Sequence, residues 1–366
     1  MTHPRQPFDL VGKIKFAFDI YGHGNIGDDL MLDGFCRSWP SDLPCFGIVN
    51  PFQAFLLQRR FPQLEWRTVC DSDAHAVWLG VGDTPIQVLS GDFFLRFLEK
   101  QIDSIQNRNC LRLLIGIGVE AEAVAQAARF RRILKKIDFI WTRDYFSKEI
   151  LTDSFGVSMD QIAVSGDLAN VALNSFDCYE CQTNRPIGLA FNCFMEHFPW
   201  RSIPSIVQFL RHEARKYKVV WLANETRVLR RQHSEITLYN HIAFILNVAT
   251  RYDPIDLVMP NYYAGSTSAM IEHFSAFQTV ISCRYHCILS AAWAGCRIAG
   301  IGRSSKISAL CQDLGVPCIA LPITRRALEY ALDKACVVER QKLLTLANTA
   351  SKALVEAAVL VKKTIQ

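Results

Sequence analysis

Short apolar runs alternate with amphipathic stretches along most of the chain. Residues 13–20 (KIKFAFDI) alternate polar and apolar side chains, the period of a half-buried strand, and run into Gly22, Gly24 and Gly27. Residues 28–39 then place Leu30, Met31, Gly34 and Phe35 at helical spacing. Continuous apolar runs at 76–81 (AVWLGV) and 111–119 (LRLLIGIGV) predict strands buried on both faces. Residues 121–136, Ala-rich with a basic face, predict a helix. A short strand is expected at 139–142, a short helix at 147–155 and a further strand at 162–165.

The pattern changes at 176–186 (FDCYECQTNRP), a polar, turn-rich stretch that marks a domain boundary. A second alternation follows. Strands are expected at 187–191, 219–223, 255–259, 279–282, 298–301 and 316–320, with helices at 203–216 and 233–249 among them. Residues 328–362 read as a long helical tail rich in Ala and Leu, broken once. No tandem repeat or low-complexity tract interrupts the series. Strands alternating with helices imply parallel sheets covered on both faces. The expected fold is therefore α/β: two doubly wound, Rossmann-like domains facing a cleft, residues 1–178 and 179–325, with a helical tail over 326–366. Ligands of such sheets bind beyond the carboxyl ends of the strands, so functional residues should directly follow strands.

Composition narrows the class. The chain has 366 residues, 50% hydrophobic and 20% charged, which excludes a disordered or fibrous protein. Forty Lys and Arg against 35 Asp and Glu leave +5, too small a surplus to mark a nucleic-acid binder. The mean hydropathy is +0.11, yet no run of about 18 uncharged apolar residues occurs, so no spanning helix is predicted. Lys13, Lys15 and Asp19 interrupt the N-terminal apolar stretch and no small-residue cleavage site follows, which argues against a signal peptide and for a cytoplasmic protein. The 13 cysteines are then expected as free thiols. Cys178 and Cys181 form one CxxC with no second pair or nearby His pair, so no zinc site is expected.

Three stretches carry candidate chemistry. Gly22-His23-Gly24-Asn25-Ile26-Gly27-Asp28-Asp29 follows a strand and opens a helix, where glycines permit close backbone approach and the helix start favours anions. The spacing is not G-x-G-x-x-G, and Asp28 and Asp29 oppose a phosphate, so a dinucleotide site is not expected; a tight turn capped by Asp28 is the plain alternative. Arg143 and Asp144, in the 141–149 segment WTRDYFSKE, stand between a strand and a helix that Asp144 can cap. The plain alternative there is an Arg–Asp surface pair, worth little. In 279–295 a β-branched strand runs into Arg284 and His286 and then a small-residue helix. Arg offers a planar fork to carboxylate or phosphate, and His moves protons near neutral pH. The alternative is a buried His bonded to a backbone carbonyl.

These stretches resemble the polysaccharide pyruvyl transferase family. The resemblance covers about residues 14 to 318. Its best-marked piece, an Arg-x-His at a strand-to-helix turn, stands as Arg284-Tyr285-His286, and the Asn-x-Gly-Asp loop as Asn25-Ile26-Gly27-Asp28-Asp29. Asp167 matches the Asp after the strand that closes the first half, and Lys306 lies in the matching 297–315 stretch. One departure is the loop Gly80-Val81-Gly82-Asp83-Thr84-Pro85, where members often carry a glycine triplet. The resemblance implies a GT-B-like fold and transfer of pyruvate from phosphoenolpyruvate to two hydroxyls of a sugar as a ketal. It implies Arg143, Arg284 and Lys306 as donor ligands and His286 as general acid. Gly24, Asn25, Asp28, Asp29 and Asp167 would serve the acceptor or its loop. No cofactor or metal is implied. The partners are the phosphoenolpyruvate donor and a glycan acceptor, lipid-linked in one version, and not nucleic acid.

Two other readings share these residues. A sugar-nucleotide glycosyltransferase would want an acidic residue for the ribose in the second half, and Glu272 is its candidate. A non-catalytic carbohydrate-binding relative is the other, favoured slightly by the altered 80–85 loop. Basic runs at 130–136 (FRRILKK) and 211–218 (RHEARKYK) read chiefly as solvated faces, with peripheral attachment to the inner face of a membrane as the alternative.

Overall fold

The computed structural model describes residues 14–18, 20–68, 75–88, 91–105, 107, 109–175, 184–191, 200–213, 216–224, 235–250, 255–261 and 265–366. The chain divides into two compact units. One spans Met1–Gly22, Met31–Val171 and Asn348–Gln366; the other spans His23–Leu30 and Ala172–Ala347. The boundary expected at 178/179 and the Cys178–Cys181 pair lie outside the described residues.

The first unit runs β1 (Ile14–Phe16), α1 (Ile26–Ser38), β2 (Cys45–Ile48), α2 (Pro51–Arg60), β3 (Glu65–Arg67), β4 (Val77–Val81), α3 (Phe93–Asp103), β5 (Leu111–Ile117), α4 (Ala127–Leu134), β6 (Phe139–Thr142), α5 (Tyr145–Glu149), β7 (Ile162–Val164) and α6 (Ala169–Leu173). The first turn of α1 and the last two residues of α6 belong to the second unit. The strands form one sheet in the order β3-β2-β1-β4-β5-β6-β7, every pairing parallel. Wholly apolar β4 is buried along its length, as a strand covered on both faces must be. Leu95, Leu98 and Ile102 of α3 repeat at helical spacing and meet Trp78, Leu114, Phe130 and Ile140 in one core. β2 and β3, four and three residues long, escape a reading by periodicity. The helix expected over 121–136 opens with a 3₁₀ stretch at Ala121–Gln126, and the one expected from 147 starts at Tyr145.

The second unit continues with β8 (Ile187–Ala190), α7 (Ile203–Glu213), β9 (Val219–Leu222), α8 (Glu235–Thr250), β10 (Asp256–Val258), α9 (Thr267–Ile271), β11 (Thr279–Ser282), α10 (Tyr285–Trp293), β12 (Arg297–Gly302), α11 (Ser305–Leu314), β13 (Cys318–Ala320), α12 (Arg325–Lys334) and α13 (Arg340–Ile365). Its parallel sheet has the order β10-β9-β8-β11-β12-β13. Ile187, Leu189, Trp221, Ile281 and Ile301 of the strands pack with Phe209, Leu238 and Leu328 of the helices.

The tail expected over 326–366 is two helices. α12 belongs to the second unit, while α13 contributes its start to the second and, from Asn348, its remainder to the first. α13 is long and apolar enough, by length and composition, to cross a membrane. Its buried positions Leu343, Ala347, Ala350, Leu354, Ala357 and Val361 form a stripe at helical spacing, which is the mark of packing against protein. Ser38 Oγ donates to Ser351 Oγ at 3.2 Å, and Lys362 Nζ lies 2.7 Å from Asp42 Oδ2.

Candidate functional site

In a doubly wound sheet the ligand crevice opens where successive strands turn in opposite directions from a central pair. In the first unit that point lies between β1 and β4. The chain leaves β1 towards Gly22 (φ +73°) and leaves β4 through Gly82 (φ +70°) and Asp83 (φ +66°). Asp83 is the one non-glycine with positive φ among the described residues, and Asp tolerates that conformation better than most side chains. Its carbonyl accepts the Gly118 N–H at 2.8 Å, tying the β4 loop to the end of β5.

Arg143 follows β6, with its N–H bonded to the Ile117 carbonyl at 2.8 Å. Its guanidinium lies on the bare backbone of Gly118, where a Cβ would sit 2.6 Å from Nε. Arg143 Nε donates to Asp144 Oδ2 at 3.3 Å, and Asp144 Oδ1 caps α5 by accepting the Ser147 N–H at 2.6 Å. The cap is as expected. The pair is not a surface pair, since the two side chains are 2% and 6% exposed. Asp167 is buried after β7, where its Oδ1 accepts the Ala169 N–H at 2.9 Å and shapes the entry to α6.

In the second unit the strand order reverses between β8 and β11. Residues 192–199, which follow β8, lie outside the described residues. Arg284 follows β11 as the residue before α10, its N–H bonded to Ser282 Oγ at 2.9 Å. Its Nε forms an ion pair, 2.9 Å, with Glu235 Oε1 at the start of α8. Glu235 is 1% exposed and also accepts the Asn224 N–H through Oε2 at 2.5 Å, reaching the end of β9. Cys287 packs against Ser282 and Asn224, and burial pushes its thiol up to about 12. The polar ends of β9 and β11 are thus joined through one buried carboxylate. Sequence reading missed Glu235 and Asn224. A lone Glu opening a helix carries no spacing signal, and only the sheet order brings it beside Arg284.

His286 is the second residue of α10, half-buried. Its ring lies on Gly27, where a Cβ would be 2.6 Å from the imidazole Cγ. The loop expected on the acceptor side, Gly22–Asp29, groups with the second unit except for Gly22. Gly24 adopts φ +90°, and Asn25 Oδ1 accepts the Gly27 N–H at 3.2 Å. Asn25 therefore takes the capping place considered for Asp28. Asp28 and Asp29 are buried in the first turn of α1, where negative charge complements the helix dipole. Lys306 lies in the first turn of α11, just beyond β12 and half-buried. Arg284, His286 and Lys306 thus stand at the carboxyl edge of one sheet, whereas Arg143 and Asp167 stand in the first unit. Glu272, the ribose candidate, is exposed on the turn that precedes β11 and so lies at the opposite edge.

Part of the basic faces is matched among the described residues. Arg129 pairs with Asp92 and Glu99, Arg132 with Glu99 and Lys136 with Asp103, at 2.6–3.1 Å. Lys216 pairs with Glu213 at 3.3 Å and Lys218 with Asp256 at 2.8 Å. His212, Glu213 and Glu329 gather within 4.8 Å, but Lys216 and Arg325 already neutralise the two carboxylates.

Two parallel sheets, each with polar clusters at its carboxyl edge, define a two-domain Rossmann-like protein. Solved structures with this fold include the UDP-GlcNAc 2-epimerase of Neisseria meningitidis bound to UDP-GlcNAc, 10% identical over 94% of this chain and 98% of that one, TM-score 0.62. A glycosyltransferase of Rickettsia africae is 10% identical over 96% of this chain and 98% of its own, TM-score 0.56. At such identity the likeness concerns the fold. No curated protein matches the chain in sequence. The family model for polysaccharide pyruvyl transferase matches residues 69–305, and the chain belongs to that family. It is a polysaccharide-modifying transferase whose family implies a glycan acceptor.

Proposed function

We propose that this protein transfers the pyruvyl group of phosphoenolpyruvate to two hydroxyls of a glycan sugar, forming a cyclic ketal and releasing phosphate. The observation that carries the reading is the strand-end cluster of the second unit. Arg284 is held by buried Glu235, and His286 stands two residues on with its ring against Gly27.

In this reaction His286 gives a proton to the methylene carbon of phosphoenolpyruvate, which makes the adjacent carbon electrophilic. One sugar hydroxyl adds to that carbon. The second then displaces phosphate; one hydroxyl proton returns to His286 and the other leaves with the phosphate, so one donor and one diol yield one ketal and one phosphate. Arg284 holds an anionic group of the donor through its fork, and Lys306 adds positive charge at the same sheet edge. Arg143 is assigned as an anion ligand of the first unit. Gly24 and Asn25 shape the loop beside His286, while Asp28, Asp29 and Asp167, buried at helix starts, fix loop geometry. The carboxyl-edge location of Arg284 and His286 favours this reading over the sugar-nucleotide alternative, whose ribose residue Glu272 lies at the other edge.

The test is phosphate release from phosphoenolpyruvate with a panel of galactosides, glucosides and N-acetylhexosaminides. Loss of a general acid lowers rate on the order of 10²–10⁴, so His286→Gln should fall at least about 100-fold. Activity within twofold of the parent removes His286 from its role. For Arg284→Lys, a lost charge-assisted fork contact of about 1.5–3 kcal/mol should weaken phosphoenolpyruvate binding roughly tenfold or more by calorimetry. Unchanged donor affinity would contradict the assignment of Arg284.

A further inference from the structure

Two cysteines of the second unit occupy a niche that two glycines open. Cys311 lies in the last turns of α11 and is 1% exposed, and Cys318 is the exposed first residue of β13. Between them the chain turns through Gly315 (φ +72°) and Pro317. Beneath them runs β12, with Gly300 in register with Cys318. A Cβ on Gly300 would overlap Cys311 Sγ, and a Cβ on Gly302 would lie 3.3 Å from Cys318 Sγ. Gly300 and Gly302 are two apart on one strand, so they face the same side, and each leaves room for one sulfur. The two sulfurs thus lie at successive same-face positions of β12. Ser308 Oγ, one helical turn before Cys311, lies 4.0 Å from Cys318 Sγ. Nothing in the proposed reaction uses this pair.

We propose that Cys311 and Cys318 form an oxidisable dithiol, a site where hydroperoxides convert the thiol pair to a disulfide joining the end of α11 to the start of β13.

The chemistry divides between the two sulfurs. The Cys311 thiol and the Ser308 hydroxyl stabilise negative charge on Cys318, which lowers that thiol to about 7. The adjacent Cys318 sulfur, and after it burial, push Cys311 up. Cys318 is therefore the attacking thiolate and Cys311 the resolving thiol. In the first step the Cys318 sulfur takes one peroxide oxygen, the O–O bond breaks, and hydroxide leaves. In the second the Cys311 sulfur attacks the Cys318 sulfenic acid, the S–S bond forms, the S–O bond breaks, and the leaving hydroxide takes the Cys311 proton. Two thiols and one hydrogen peroxide give one disulfide and two waters, with the sulfurs oxidised and the peroxide reduced. The exposed member meets the oxidant while the buried member lies at the next same-face position of β12, the order a sensing pair requires.

The experiment treats the native full-length protein with stoichiometric hydrogen peroxide, alkylates remaining thiols, and maps tryptic peptides. Both cysteines fall on the single peptide 307–325. The expected result is that peptide lighter by two hydrogens, unalkylated, and restored by dithiothreitol. Cys311→Ser should instead leave Cys318 as sulfenic acid, trapped by a dimedone probe. A second measurement follows the rate of Cys318 alkylation by iodoacetamide against pH. Half-maximal rate should fall near pH 7 in native protein and near 8.5 in denatured protein, the ordinary thiol value. Full alkylation of both cysteines after peroxide, or a native profile at the ordinary thiol value, overturns the proposal. Both readouts are independent of pyruvyl transfer.

Discussion

A single carboxylate organises the second unit's candidate site. Glu235 is almost wholly buried, faces Arg284 Nε at 2.9 Å and accepts the Asn224 N–H. Such a pair is costly to desolvate, and removing one member costs more than the pair is worth, about 3–5 kcal/mol. Glu235→Ala should therefore lose about 3–5 kcal/mol of unfolding free energy, read as a lower denaturant midpoint. Glu235→Gln, which keeps an acceptor for the Asn224 N–H, should lose less. If Glu235→Ala unfolds at the parent's midpoint, the ion pair is not a structural support of the β9 and β11 ends. Arg143 shows the same logic on a smaller scale. Its neighbour Asp144 spends one oxygen on the α5 cap and the other on the guanidinium. The residue types of Arg143 and Asp144 were legible along the chain; their burial was not.

At the scale of elements, two glycines set where candidate functional side chains stand. Gly118 directly follows β5 under the Arg143 guanidinium, and Gly27 is the second residue of α1, under the His286 ring. Neither is needed for positive φ, since neither adopts it. Their role is the absence of a Cβ. Gly118→Ala should displace the guanidinium, and Gly27→Ala the imidazole. Each is expected to reduce phosphate release at least about tenfold, because an ångström of misplacement carries a cost of this order. Far-ultraviolet circular dichroism should change little. Full activity in Gly27→Ala would show that the His286 ring position is immaterial. Glycines at these two places look like any loop glycine in sequence. The partner that makes each one necessary comes from a strand or helix far along the chain, so period-based reading has no access to it.

At the scale of the whole chain, α13 is the element whose sequence is most ambiguous. Its composition passes for a spanning segment, yet a stripe from Leu343 to Val361 is buried in protein. Leu354, fully buried, belongs to the portion counted with the first unit. Leu354→Ala should cost about 3 kcal/mol, the usual range for a large-to-small core change being 2–5, read as a lower unfolding midpoint. An unchanged midpoint would mean that this face is not part of a core. The same scale explains the basic runs. Sequence shows Arg132 and Lys136 as a charged face; the fold sets Glu99 and Asp103 of α3 opposite them. Surface pairs of this kind contribute little stability.

Local order was written along the chain. Alternating runs of apolar strands and amphipathic helices determined two parallel α/β sheets, because a strand covered on both faces must be continuously apolar and a covering helix must carry a stripe. The position of Arg284 and His286 after a strand followed from the same rule. Only the tertiary structure decided which strand neighbours which. That order brings Glu235 to Arg284, and the packing of the first turn of α1 on α10 brings Gly27 to His286. Such pairings depend on close packing between segments distant in sequence, and no periodicity of a single segment encodes its partner.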